Sequence, residues 1–297
     1  MALGSGRRLS TKGLNCWLPI HKLPGYCCIK LQECIKLEIY HYFEAVRNYK
    51  PGFVTVNPYK PLEHFAEGIV TFRIGEKSGE TVPFLISDSI YEARLELGTE
   101  REYHSIDGAV LRKTPTKHIT VSMIESAIKD FIGVWGQAHS PFYRVNPNGY
   151  PRRDEVLGIP QNLNSMEYYD LVSISHLLKV QKLPPQIYPY SKPKREVKIH
   201  EIKIVDYHNP YVDLRILAAN GLNIRQLAFD LGKRLGVGAS AVRSKRTKEG
   251  PMHLSDERVI KMHELSVEHY LPITARLRSY YRQFLLSMEP LAEQTIH

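Results

Sequence analysis

Two stretches of this chain alternate strictly between apolar and polar side chains, and that period limits what they can form. Tyr91, Ala93, Leu95 and Leu97 fall on one side, with Glu92, Arg94 and Glu96 on the other. Successive side chains of a strand point to opposite faces, so residues 91–97 are predicted to be a half-buried strand. Val212, Leu214, Ile216 and Ala218 repeat the pattern against Asp213 and Arg215. Elsewhere the period changes to that of a helix. Ile124, Ala127, Ile128 and Phe131 form one stripe, behind a capping signal at Ser122 and Glu125. Ile224, Leu227, Ala228, Leu231 and Leu235 form a second. Helices are therefore expected over residues 121–131 and 224–235. Strands and helices mix along the chain without an internal repeat.

Composition narrows the partner. The 297 residues include 40 Lys and Arg against 31 Asp and Glu, a formal charge of +9. Such an excess favours a polyanion, because cations that neutralise phosphates release counterions. Cys16, Cys27, Cys28 and Cys34 lack paired Cys-x-x-Cys spacing. They are read as buried or free thiols in a reducing compartment, with no metal and no disulfide framework. No apolar run approaches the length that spans a bilayer. Residues 1–32 carry Arg7, Arg8, Lys12, Lys22 and Lys30 and no acid, with Ser5, Ser10 and Thr11 between them. This composition suits a mitochondrial transit peptide; the alternative is a basic arm that touches RNA. Residues 141–160 and 183–193, rich in proline, are expected to be irregular or extended. Beyond Ser255-Asp256-Glu257, a helical start signal, Pro272 should break the run, and Ile273, Leu277, Tyr280, Tyr281, Phe284 and Leu285 form an aromatic-rich stripe.

Short motifs in a fixed order then carry a resemblance. They run from Leu18-Pro19-Ile20-His21-Lys22-Leu23-Pro24-Gly25 through Leu62-Glu63-His64-Phe65-Ala66-Glu67-Gly68 to residues 69–75 and 88–98, with Asp107-Gly108 next. Residues 119–133, Gln137 to Tyr143, Gly221-Leu222-Asn223-Ile224-Arg225, Asp230-Leu231-Gly232, Leu235-Gly236 and Arg246-Thr247-Lys248-Glu249-Gly250 follow. Together they resemble the TruB family of RNA pseudouridine synthases, and in particular its mitochondrial members, which carry a similar helical tail. The resemblance covers roughly residues 14–257. It implies an α+β fold: a pseudouridine synthase-like mixed, mainly antiparallel sheet flanked by helices, with a helical C-terminal tail. The implied organisation is a basic arm over residues 1–13, a TruB-like domain over 14–254 and a helical extension over 255–297.

The resemblance also assigns a site. Glu63 stands where the family has its catalytic Asp, Tyr91 where it has the tyrosine that stacks on the target base, and Arg225 where it has the arginine paired with the catalytic carboxylate. A glutamate in that place reaches about 1.5 Å further than an aspartate, and misplacement on this scale costs orders of magnitude in rate. The lead-in Val56-Asn57-Pro58-Tyr59-Lys60-Pro61 replaces a glycine-rich loop and should be stiff. Lys233, Arg234, Arg243, Lys245, Arg246 and Lys248 form a candidate RNA-binding cluster, and Lys192, Lys194, Arg195 and Lys198 with Tyr188 and Tyr190 a second.

Three functions stay open at this point. The chain is a TruB-like RNA-binding protein of the mitochondrial matrix with impaired catalysis, acting on mitochondrial mRNA, rRNA or tRNA beside RNA-granule or ribosome-assembly proteins. Alternatively it is an active synthase using Glu63 or a displaced acid, or a structural subunit that contacts proteins only. No cofactor is implied by any of the three.

Overall fold

The structure is a computed structural model that describes residues 16–47, 54–75, 88–138, 195–219 and 221–288. The two proline-rich stretches, the arm over residues 1–13 and Lys192 and Lys194 lie outside the described residues. The chain divides into two compact units, residues 1–91 with 245–297 and residues 92–244.

In the first unit, β1 (Cys16–Lys22) runs antiparallel to β3 (Glu67–Ile74), with Leu18 opposite Phe72 and Ile20 opposite Val70. The short β2 (Val56–Tyr59) pairs with β3 in the same sense. The stiff lead-in expected as a loop is thus mostly a strand. Pro58 is tolerated because β2 pairs on one side alone. Strand β4 (Ser89–Leu97) contributes residues 89–91 to this unit, and β10 (Ala239–Glu249) contributes residues 245–249, where it pairs parallel to the start of β3. Strands β11 (Met252–His253) and β12 (Ile260–Lys261) complete the unit, giving the order β12-β1-β3-β10-β4.

Two helices cover its apolar face. Helix α1 (Cys28–Arg47) buries Leu31, Ile35, Ile39 and Phe43, spaced four apart so that they stack on one side. Helix α4 (Val267–Met288) adds Val267, Tyr270 and Leu277. It starts at Val267 and not near Ser255, because Asp256 is taken up by Arg258 and does not cap. Pro272 does not end it. The exposed ring keeps a helical φ and forfeits one solvent-side hydrogen bond, so α4 continues. Residues 255–297 therefore supply β12 and α4 to the first unit.

In the second unit, β7 (Gly133–Gln137), β8 (Arg195–His208) and β9 (Tyr211–Ala218) form antiparallel neighbours in the order β10-β4-β9-β8-β7. β4 and β9 bury alternate residues as their sequences require. A separate ribbon joins β5 (Thr99–Arg101) to β6 (Val110–Lys113). Helix α2 (Val121–Lys129) is capped by Thr120, whose side chain accepts from the Met123 amide at 3.3 Å. Ser122 was the expected cap, but it is already inside the helix, whereas Thr120 holds the extended backbone that capping needs. Helix α3 (Ile224–Arg234) is capped by Asn223. The sheets are mixed and mainly antiparallel, and four helices occur among the described residues.

One glycine makes the α3 packing possible. A Cβ at Gly232 would run into the backbone of Gly238 and Ala239. Gly232→Ala should therefore overpack this contact and lower stability by about 2 kcal/mol or more, read as a shift of the urea midpoint. A midpoint equal to that of the parent chain would show that α3 lies further from residues 238–239.

Candidate functional site

Glu63 sits on a segment whose backbone is gripped at every second carbonyl. Arg246 Nη2 donates to Lys60 O at 2.9 Å, and the Cys28 thiol to Leu62 O at 3.3 Å. Lys22 Nζ donates to His64 O at 3.2 Å and to Ala66 O at 2.5 Å. The Gly25 amide, in the turn after β1, also reaches His64 O at 2.9 Å. Lys22 is completely buried, so its ammonium is stabilised by carbonyl dipoles in place of water. Burial pushes the Cys28 thiol up to about 11, which keeps it neutral and a donor. Gly68 closes the segment at φ +130°, with its missing side chain against the Arg246 backbone. Glu63 itself is half-buried.

Beneath this segment is a buried ionic cluster. Arg246 is buried and donates through Nε (2.8 Å) and Nη2 (2.6 Å) to Ile69 O, so one guanidinium ties both ends of the Glu63 segment. Glu249 lies 3.1 Å from Arg246 Nη2 and accepts from Thr71 Oγ1 at 2.7 Å. Burial raises the Glu249 pKa, against the pull of Arg246, Thr71 and Lys60. Burial also lowers Lys60, to about 8, although Glu249 and Asp88 favour its charge. Lys60 takes a positive φ of 47° and sets its ammonium 5.1 Å from the Tyr59 ring centroid. Tyr91 is buried on β4 and hydrogen-bonds to Arg246. The guanidinium expected on an RNA face is therefore interior: each of its observed contacts is to protein groups, with no exposed surface for a phosphate. Its role was hidden because a basic residue is ordinarily a surface residue.

Arg225 belongs to the second unit. The Gln137 side chain exchanges two hydrogen bonds with the backbone of Asn223, both 2.9 Å, and fixes the start of α3. Asn223 in turn accepts from the Gln226 amide at 3.1 Å. Arg225, the second residue of α3, is buried and donates to Tyr103 O at 2.6 Å. His104 stacks on Phe229 of the same helix, with ring centroids 4.0 Å apart. Burial, with the charge of Arg225 beside it, holds the His104 imidazole down to about 4.

The remaining cations differ in availability. Lys233, Arg234 and Arg243 are exposed on the second unit, Arg234 being paired to Asp130 at 2.5 Å. Lys245 is half-buried in the first unit and engages Glu67 at 2.8 Å, which His21 also contacts at 3.0 Å. Lys248 is half-buried.

Arg246→Ala should leave Glu249 as an uncompensated buried charge and cost about 3–5 kcal/mol in chemical denaturation, while adding Glu249→Leu should recover much of the loss. Purely additive losses would contradict the pair. For His104, the folded pKa lies below the ordinary value of 6.5, so the folded state binds the proton more weakly than the unfolded state. Its stabilisation is complete above about pH 6.5 and is lost as pH falls towards 4, by about 3 kcal/mol at most. His104→Phe should flatten the stability profile in that window, and an unchanged slope would contradict the burial of a neutral ring.

Comparison with known proteins adds similarities of sequence and fold. Residues 225–293 match the model of the tRNA pseudouridylate synthase B C-terminal domain. A tRNA pseudouridine synthase B of Dehalococcoides mccartyi is 26% identical over 195 residues, covering 65% of this chain and 55% of the relative. That of Francisella tularensis subsp. novicida is 23% identical over 222 residues, covering 74% and 64%. The chain thus spans less than two thirds of the length of these relatives. A Cbf5–Nop10–Gar1 complex supplies a structure with TM-score 0.53 and 18% identity, covering 91% of this chain and 59% of the other. An H/ACA RNP bound to a substrate RNA containing 2′-deoxyuridine gives 0.52 and 16%, covering 91% and 58%. At these identities the structures speak for the fold alone. This chain is therefore similar over residues 225–293 to the C-terminal domain of tRNA pseudouridylate synthase B, and over much of its length to tRNA pseudouridine synthase B proteins at 22–27% identity.

Proposed function

We propose that this chain is a TruB-like RNA-binding protein of the mitochondrial matrix, with impaired pseudouridine formation, that acts in mitochondrial RNA or ribosome maturation. One observation carries the impairment: the segment bearing Glu63 is held at Lys60, Leu62, His64 and Ala66 by buried donors. A backbone so fixed does not retreat to absorb an extra methylene, and the carboxylate overshoots the place an aspartate would fill by about 1.5 Å. That place is the one the family resemblance assigns to the catalytic aspartate.

RNA binding draws on a different set of groups. Lys233, Arg234 and Arg243 are exposed and lie on one unit, so they can meet phosphates whatever happens at Glu63. The mitochondrial part rests on the basic, acid-free N-terminal sequence. Lys22 and Lys30 belong to β1 and α1, which leaves Arg7, Arg8 and Lys12 as the cations of an import signal. Fusion of residues 1–15 to a reporter should direct it to mitochondria, and a diffuse cytosolic signal would remove that part of the proposal.

Activity and binding separate in one experiment. The purified chain should bind structured RNA with strong salt dependence yet form pseudouridine far below a normal enzymatic rate. The triple variant Lys233→Ala, Arg234→Ala, Arg243→Ala should bind more weakly and reduce the salt slope by about 2–3, whereas Glu63→Ala should leave binding unchanged. Multiple-turnover pseudouridine formation, abolished by Glu63→Ala, would establish the active synthase instead.

A further inference from the structure

The turn between β1 and α1 carries an exposed apolar patch. Leu23 is 42% exposed and Tyr26 45%, and Pro24 and Gly25 between them are exposed as well. Contiguous apolar surface with polar groups at its rim is a feature of contact sites.

This turn is built as one piece with the segment that bears Glu63. The ammonium of the buried Lys22 donates to Leu23 O at 3.2 Å, and also to His64 O and Ala66 O. Met262 Sδ accepts from the Leu23 amide at 3.3 Å. Gly25 takes φ +84° with open space where a Cβ would stand, so conformation and not crowding requires glycine there. Two bonds then bracket Glu63 itself. The Gly25 amide reaches His64 O at 2.9 Å, and the Cys28 thiol reaches Leu62 O at 3.3 Å. Tyr26 lies between those two anchors on one side, as Glu63 does on the other. Its backbone is therefore fixed beside the Glu63 segment, which is the support that a preorganised contact needs.

The aromatic residue to which the resemblance assigns stacking is placed differently. Tyr91 is 5% exposed and hydrogen-bonds to Arg246. Tyr26 makes no side-chain hydrogen bond or ring contact with the other described residues, and its surface is open to solvent. A cation stands at the edge of the same patch. Lys261 pairs in register with His21 on the neighbouring strand, one residue before the methionine that Leu23 contacts, and its side chain is 62% exposed. Its contact with Glu264, 3.5 Å at this exposure, is too weak to hold it.

An apolar aromatic surface with a cation at its rim matches a nucleotide, whose base offers a π-face and whose phosphate offers a charge. Bases inside a duplex are covered by their neighbours, so only an unpaired base can be taken this way. We propose that Tyr26, with Leu23 beside it, is a stacking platform for an unpaired nucleobase of the bound RNA. This rests on the RNA-binding function proposed above and deepens it, naming single-stranded RNA as the class recognised beside Glu63.

The test uses the full chain and two probes: an RNA hairpin with a single-stranded uridine loop, and a fully paired RNA duplex of equal length. Tyr26→Ala removes a ring from an exposed position and should leave Tm within about 2 °C of the parent chain. It should weaken binding of the looped RNA about tenfold and change duplex binding less than about twofold. Tyr26→Trp keeps a stacking face and should hold the looped RNA as tightly as the parent chain. An unchanged affinity of Tyr26→Ala for the looped RNA overturns the proposal. So does an equal loss on both probes, which marks a contact with the sugar-phosphate chain, and so does a tenfold loss in Tyr26→Trp. If the parent chain binds the duplex and not the loop, stacking at Tyr26 is refuted while RNA binding stands. If it binds neither, the RNA-binding function itself falls.

Discussion

One buried guanidinium organises the first unit. Arg246 collects the carbonyls of Lys60 and Ile69, contacts Tyr91 and is balanced by Glu249. A charge in the interior persists only with near-complete satisfaction of its donors, so the geometry of these partners is narrowly set. Lys22 does the same for His64 and Ala66 from the other side of the chain. The Glu63 segment is accordingly less a loop than a strip of backbone with its carbonyls assigned.

The second unit is organised by a hydrogen-bonded series around the start of α3. There the connection runs through amides, Gln137 to Asn223 and Asn223 to Gln226, and ends on the Arg225 guanidinium, which donates to the Tyr103 carbonyl. Each bond fixes the donor or acceptor of the next, so the start of α3 and the backbone at Tyr103 form one hydrogen-bonded series. His104 completes it as a neutral ring on Phe229.

Patterns that depend on a local period were legible in the residues. Strands β4 and β9 and helices α2 and α3 follow from alternation and from four-residue stripes, since burial on one face imposes those periods directly. Helix α1 carries an equally plain stripe in Leu31, Ile35, Ile39 and Phe43. What the sequence does not reveal is the fate of a charge. Nothing local distinguishes Lys22 and Arg246, both interior, from Lys233 and Arg243, both exposed; only partners tens to hundreds of residues away decide it. Helix ends were similarly ambiguous, because Thr120 and Ser122, two residues apart, are both chemically able to cap.

The parallel pairing of β10 with β3 joins Arg246 to Gly68 and to Ile69, 177 positions earlier in the chain. During synthesis the N-terminal strands emerge long before their closing residue exists, so the Glu63 segment spends that interval with its carbonyls in water. Contacts of such sequence separation form late and slow folding, since the intervening chain must be ordered before they are rewarded. The part of the molecule that resembles a catalytic loop is therefore among the last to acquire its shape, and a nascent chain ending short of Arg246 lacks the group that shapes it.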